Sequence, residues 1–146
     1  GSALADAAGP GSMLIRMMDK AGYDRAYAAA LTASTEVLMP IQCEYFAMEG
    51  LTQMIQVIRK VMHSDNRRLE FGGILLTMYD HSLELTREVD REVREFFGDI
   101  VFDAVVPRDV AVSEAPSHGV SVLDYAPRSR GTRAYLELCQ EIQGRA

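Results

Sequence analysis

Chemistry at phosphates calls for a lysine behind a glycine-rich loop, and this sequence has lysine only at Lys20 and Lys60. Neither follows a glycine or precedes Ser or Thr. The pattern G-x-x-x-x-G-K-[ST], whose backbone N–H groups and lysine cradle phosphates, is therefore absent from these 146 residues. Metal chemistry finds no better footing. Cys43 and Cys139 stand far apart with no C-x-x-C pair, and His63 and His81 have no second His or carboxylate spaced to share an ion. They read as reduced thiols and solvated imidazoles, and no Ser/His/Asp or Cys/His relay is present. The residues best placed for a ligand are Gln42 and Glu44, just past the apolar run Val37–Ile41. Open α/β sheets bind ligands beyond the carboxyl ends of their strands. The competing role for both residues is to cap and solvate the start of the next helix.

Positioning such residues requires a core, and 48% hydrophobic with 25% charged residues suits one globular domain. Fifteen basic against 21 acidic side chains give a net charge of −6, which argues against a general affinity for nucleic acid or anionic membrane. No apolar run approaches the ~20 residues of a membrane span. Ser12 is placed to cap a short helix over Met13–Met18, and the alanine-rich stretch from Tyr23 to Ala33 reads as helical. Val37–Ile41 fits a short buried strand, and Leu51, Met54, Ile55, Ile58, Val61 and Met62 recur on one helical face. After the polar loop of Asp65, Asn66, Arg67 and Arg68, Gly73–Met78 is apolar throughout, as in a strand buried on both sides. Leu85, Val89, Val93, Phe96 and Phe97 mark a second amphipathic helix stopped at Gly98, and Ile100–Val106 returns to strand until Pro107. Val120, Val122 and Leu123 suggest one more short strand, and Tyr135, Leu138, Cys139 and Ile142 a closing helix from near Ser129. Alternating strand and helix predict an α/β fold: a partial doubly wound parallel sheet of three to four strands with flanking helices and right-handed crossovers.

Specific residues then add to periodicity. The segment Pro40-Ile41-Gln42-Cys43-Glu44-Tyr45-Phe46-Ala47-Met48-Glu49-Gly50-Leu51 resembles the second-half signature of ParA/Soj-type chromosome and plasmid partition ATPases, a P-loop family of the deviant Walker class with a three-layer, Rossmann-like fold. The resemblance continues in order. It runs through Gly73-Ile74-Leu75-Leu76-Thr77-Met78-Tyr79-Asp80, Val106-Pro107-Arg108-Asp109, Ser113-Glu114-Ala115-Pro116-Ser117-His118-Gly119 and Asp124-Tyr125-Ala126-Pro127-Arg128-Ser129-Arg130-Gly131. It assigns residues 31–146 to a C-terminal α/β half-domain and leaves 1–30 as an N-terminal helical segment. Gly22-Tyr23-Asp24 resembles the approach to the family's switch strand and Leu31-Thr32-Ala33 its exit, with only residues 25–30 between them. The chain is then either a truncated or internally deleted partition ATPase or a native remnant.

The resemblance implies that Met78, Pro107, Arg108 and Asp109 lie near an adenine and ribose. Strand-end packing is the alternative for Met78 and Pro107. Asp109 stands where the family usually carries Asn, replacing an amide donor by an acceptor-only carboxylate. Gln42 and Glu44 belong by resemblance to the nucleotide-dependent dimer face, and His118 to a loop-structuring role. The resemblance implies ATP and Mg²⁺, a ParB-like partner and non-specific DNA, a cytoplasmic, nucleoid-associated place of work, and a possible homodimer. Here Ser82, Ala111 and Val120 occupy positions that are usually basic, which leaves Arg108, Arg128, Arg130 and Arg133 as a possible DNA-contacting cluster or as charges paired with Glu137 and Asp124. Without a P-loop lysine or switch aspartate, phosphoryl transfer cannot be assembled from these residues. A non-enzymatic interaction module, or a self-associating regulator derived from the same fold, is the competing reading. Strands apolar on both faces also need cover, which Met13–Met18 and Ala26–Ala33, or a second chain, would supply.

Overall fold

Ten residues with a glycine pair near their start and apolar residues in the middle, Glu70–Tyr79, form β2, the central strand of a three-stranded sheet in the computed structural model, which describes residues 30–64 and 66–145. The order is β1-β2-β3, with β1 at Glu36–Gln42 and β3 at Val101–Pro107, and the strands are parallel. Helices alternate with them: α1 at Ala47–Ser64, α2 at Glu84–Phe97, and after β3 the short α3 at Val110–Glu114 and α4 at Val122–Tyr125, then α5 at Arg130–Arg145. Single 3₁₀ turns lie at Gly98–Ile100 and Ala115–His118. Residues 30–33 are helical, and the expected helix over Met13–Met18 and most of the alanine-rich stretch lie outside the described residues, as does most of the cover expected from them.

The described residues group into two compact units, one of 30–38 and Gly50–Gly72, the other of Met39–Glu49 and 73–145. In the first, Leu31, Leu51, Ile58, Val61 and Leu69 are buried, the α1 members at the spacing that predicted this helix. Its polar loop is also structural: the Asn66 amide donates to the carbonyl of Ser34 at 2.6 Å and to those of Leu31 and Thr32 at 3.2 Å, closing the helix end at 30–33.

In the second unit Ile74, Leu75 and Leu76 are all buried, as expected of a middle strand. Leu75, Phe102, Ala104, Val106 and Leu138 form one cluster with Tyr135 against it, while α2 buries Thr86, Val89 and Val93. Burying a side chain such as Phe102 or Leu138 contributes roughly 1.5–3 kcal/mol. Gly73, at φ +150°, lies against the Phe102 ring, where a Cβ would have no room.

Two expectations need correction. Val37–Ile41 is not buried on both faces: β1 alternates, with Met39 and Ile41 inside and Leu38 and Pro40 exposed, and among the described residues it is an end strand of the sheet. An end strand also accommodates proline, which has no N–H for the ladder. The strand expected at Val120, Val122 and Leu123 is instead the helical turn α4. Ser121 caps it, its hydroxyl accepting from the Asp124 N–H, and of the three apolar residues only Val122 is buried.

Candidate functional site

The carboxyl ends of β2 and β3 meet through a local irregularity that the residues themselves explain. Leu76 pairs with Val105 and Tyr79 with Pro107, so β2 carries one residue more than β3 over this interval. Within it Met78 has φ +54°, a left-handed conformation uncommon for a side-chain-bearing residue. Such a bulge re-aims the side chains beyond it. Past it, the Arg108 N–H donates to the Tyr79 carbonyl at 2.9 Å and ties the two strand ends together.

Around this junction the loops are held by carboxylates. Asp80 accepts from the hydroxyl and the N–H of Ser82 at 2.6 and 2.9 Å, bonds that hold its carboxyl below the usual range with help from Arg108 and Arg130. Asp109 caps α3 through Oδ1, accepting from the Ala111 N–H at 3.0 Å, and through Oδ2 accepts from the Gly131 N–H at 2.8 Å in the first turn of α5. The Gly131 bond is the main reason its carboxyl also lies below its ordinary value. Val112 closes over Gly131, leaving no room for a larger residue there. One carboxylate thus joins the start of α3 to the start of α5.

The sequence-expected residues gather unevenly here. Met78, Pro107, Arg108 and Asp109 lie at the adjoining ends of β2 and β3, and Glu44 joins them through an exposed 3.8 Å ion pair to Arg108. Gln42 is the exposed last residue of β1. Arg130 donates to the Arg108 carbonyl at 3.5 Å, and with Arg133, Pro107, His81 and Glu137 it lines a cavity of about 190 Å³. Arg128 is exposed in the turn before α5, and Asp124, one of the expected partners, instead accepts from the Ser121 hydroxyl at 2.7 Å. His118 stacks on Tyr125, whose hydroxyl donates to Glu114, which is a loop-building arrangement.

Sequence reasoning missed a polar chain beneath the site. The Tyr79 hydroxyl donates to Asp90 at 2.8 Å, and Arg94 bonds the other Asp90 oxygen at 2.6 Å and the Phe102 carbonyl at 3.1 Å. Burial, then the bond to Asp90, pushes the Tyr79 phenol up to about 12. Burial likewise pushes the Cys43 thiol up to about 11, so it stays a thiol rather than a nucleophile. The available signal was the i,i+4 spacing of Asp90 and Arg94, which looks the same as a solvated helix face.

An AAA domain model matches residues 23–71. A model for the DctM component of tripartite ATP-independent periplasmic transporters matches residues 1–41, though no helix among the described residues is long and apolar enough to cross a membrane. The chain superposes on Pyrococcus furiosus cell division ATPase MinD with TM-score 0.67 at 23% identity, covering 85% of this chain and 48% of that one. It superposes on Mycobacterium smegmatis cobyrinic acid a,c-diamide synthase with bound ATP analogue and magnesium with TM-score 0.64 at 27% identity, covering 80% and 42%. The class is therefore an α/β sheet of the P-loop NTPase type. In sequence the chain is 51% identical over 116 residues to chromosome partitioning protein ParA of Caulobacter vibrioides, covering 80% of this chain and 43% of that protein. It is 48% identical over 113 residues to the sporulation initiation inhibitor protein Soj of Bacillus subtilis, covering 77% and 45%. The chain belongs to the ParA/Soj-type partition ATPase family and spans a little under half the length of these relatives.

Proposed function

We propose that this chain is the base-side half of a ParA/Soj-type partition protein, serving DNA segregation in the cytoplasm with a ParB-like partner, and that the residues present do not hydrolyse ATP. The observation that supports the reading most is the junction of β2 and β3, where Met78, Pro107 and Arg108 converge on one strand end in a chain of this family. Met78 and Pro107 offer apolar surface to a flat base, and Arg108 a donor to its ring or ribose. Asp109 is an acceptor whose two oxygens already serve backbone N–H groups, so it builds the loop and does not read the base.

ATP with Mg²⁺ fits these residues only in part. Bound, the nucleotide would supply the phosphoryl group whose transfer drives the family's cycle. Among the described residues, however, no three His, Cys, Asp or Glu side chains are grouped to hold a metal, and the only lysine lies within α1. Purified chain with Mg²⁺ and ATP is expected to release phosphate at the background rate. Release that disappears in Arg108→Ala would contradict this.

A second reading, a module that pairs with its own copy without nucleotide, draws on Tyr45 and Phe46. They sit edge to face at 5.1 Å and are 77% and 72% exposed, a large apolar display for one short loop. Light scattering separates the two readings, since self-association lost in Tyr45→Ser/Phe46→Ser and indifferent to nucleotide favours the module.

A further inference from the structure

The carboxylate of Glu141 takes the backbone N–H groups of two consecutive β3 residues. Among the described residues β3 ends the sheet, and between Val101 and Val105 it holds two residues more than β2 does between Ile74 and Leu76, a bulge that includes Asp103 and Ala104. Their N–H groups both go to one side chain: Glu141 accepts from Asp103 through Oε1 and from Ala104 through Oε2, each at 2.9 Å. Arg145, one turn further along α5, bonds Glu141 at 2.6 Å and the Val101 carbonyl at 3.0 Å, with its guanidinium 4.3 Å above the Phe102 ring. From α2, Arg94 bonds the Phe102 carbonyl at 3.1 Å and stands 3.7 Å from Asp103. Side chains thus hold residues 101–104 one after another.

The consequence lies at the other end of the strand. A β3 running on from Val101 without the bulge would set Asp103 opposite Leu76 and displace the strand end by two residues, roughly 7 Å. Side chains alternate with a period of two, so such a slip would leave Phe102, Ala104 and Val106 on the same face. The apolar pattern therefore does not forbid it, and the Glu141 contacts do. We propose that Glu141 is a positioning residue for the site at Pro107–Asp109: by fixing the bulge it sets the register that puts Tyr79 opposite Pro107 and the Arg108 N–H on the Tyr79 carbonyl. The functional meaning rests on the reading of that strand end as a binding site, and the register claim does not.

Amide hydrogen exchange on the ligand-free chain tests it, so absence of nucleotide binding leaves the result intact. In Glu141→Gln, which keeps one acceptor, the Asp103, Ala104 and Arg108 amides are expected to exchange at least about tenfold faster, while Val89 and Val93 in α2 keep their protection. The cross-strand Leu76–Val105 signal is expected to weaken with them. Arg108 protection and the Leu76–Val105 signal both unchanged while Asp103 and Ala104 open would overturn the proposal, as would no change at any of the three amides. Should Glu141→Gln fail to fold, Arg145→Ala leaves the carboxylate but removes its lateral anchor, and it is expected to show the same pattern more weakly. Exchange at Arg108 unaltered there would overturn it equally.

Discussion

The loop after β3 and the loop after β1 leave the same sheet and are built in opposite ways. After β3, one carboxylate fastens two helix starts: Asp109 satisfies the N–H groups of Ala111 and Gly131, and Val112 closes over Gly131. After β1 the turn is built on backbone bonds, Glu44 N–H to the Gln42 carbonyl and Ala47 N–H to the Glu44 carbonyl, with one exposed ion pair from Glu44 to Arg108, while Tyr45 and Phe46 stand in solvent. A loop fixed in advance binds at little cost in ordering, whereas a loop that displays aromatic rings is suited to burial against something else. Under the proposed function the first would serve as a ligand edge and, under the second reading, the other as an interface.

The largest effect expected from this contrast is at Asp109. Asp109→Ala removes a helix cap and a second charged hydrogen bond, and a loss of about 2 kcal/mol is expected in chemical denaturation. Asp109→Asn retains one acceptor and is expected to cost about half as much, roughly 1 kcal/mol. Equal losses would show that the acceptor retained by Asn contributes nothing. Acid should act in the same direction. The carboxyls of Asp109, Asp80 and Glu141 all lie below their ordinary values in the folded chain. Their stabilisation is complete above the unfolded carboxylate pKa values, near 4, and is lost as pH falls through the depressed folded values. Thermal midpoints between pH 6 and pH 2 should therefore drop, and drop less in Asp109→Asn.

The exposed side of the comparison predicts small stability changes with other consequences. Tyr45→Ser/Phe46→Ser is expected to move stability by no more than about 0.5 kcal/mol while reducing any self-association seen by light scattering. Arg108→Ala breaks an exposed pair to Glu44 and removes a weaker influence on Asp80, and its effect should also stay within about 0.5 kcal/mol. Duplex DNA is expected to bind no better than ~10⁻⁴ M at physiological salt, because Ser82, Ala111 and Val120 stand at usually basic positions and the net charge is −6. Submicromolar retention in a gel shift would overturn that.

Much of this was legible in the residues. The uniform apolar run of β2 and the apolar stripes of α1, α2 and α5 identified these elements, because burial leaves its period in the sequence. Position in the sheet was not legible, since Val37–Ile41 reads alike for a central and an end strand. Nor was α4, where two apolar residues near Val120 suggest a strand until Ser121 is seen capping a turn. At the site, the acceptor-only character of Asp109 was evident from its type. That its partners are backbone N–H groups 2 and 22 residues away required the fold. Glu141–Arg145 and Asp90–Arg94 were hidden for a common reason: an i,i+4 charge pair on a wet helix face has the same spacing whether it faces water or a strand backbone.

The central claim is that the chain offers an edge for a base without machinery for phosphates. Backbone amide shifts of Tyr79, Arg108 and Asp109, followed while adenosine and then ATP with Mg²⁺ are titrated into the chain, test it most directly. The account predicts that both ligands perturb these amides with similar affinity and that Mg²⁺ changes nothing. Binding of ATP with Mg²⁺ at least about tenfold tighter than adenosine, a difference of roughly 1.4 kcal/mol, would contradict it.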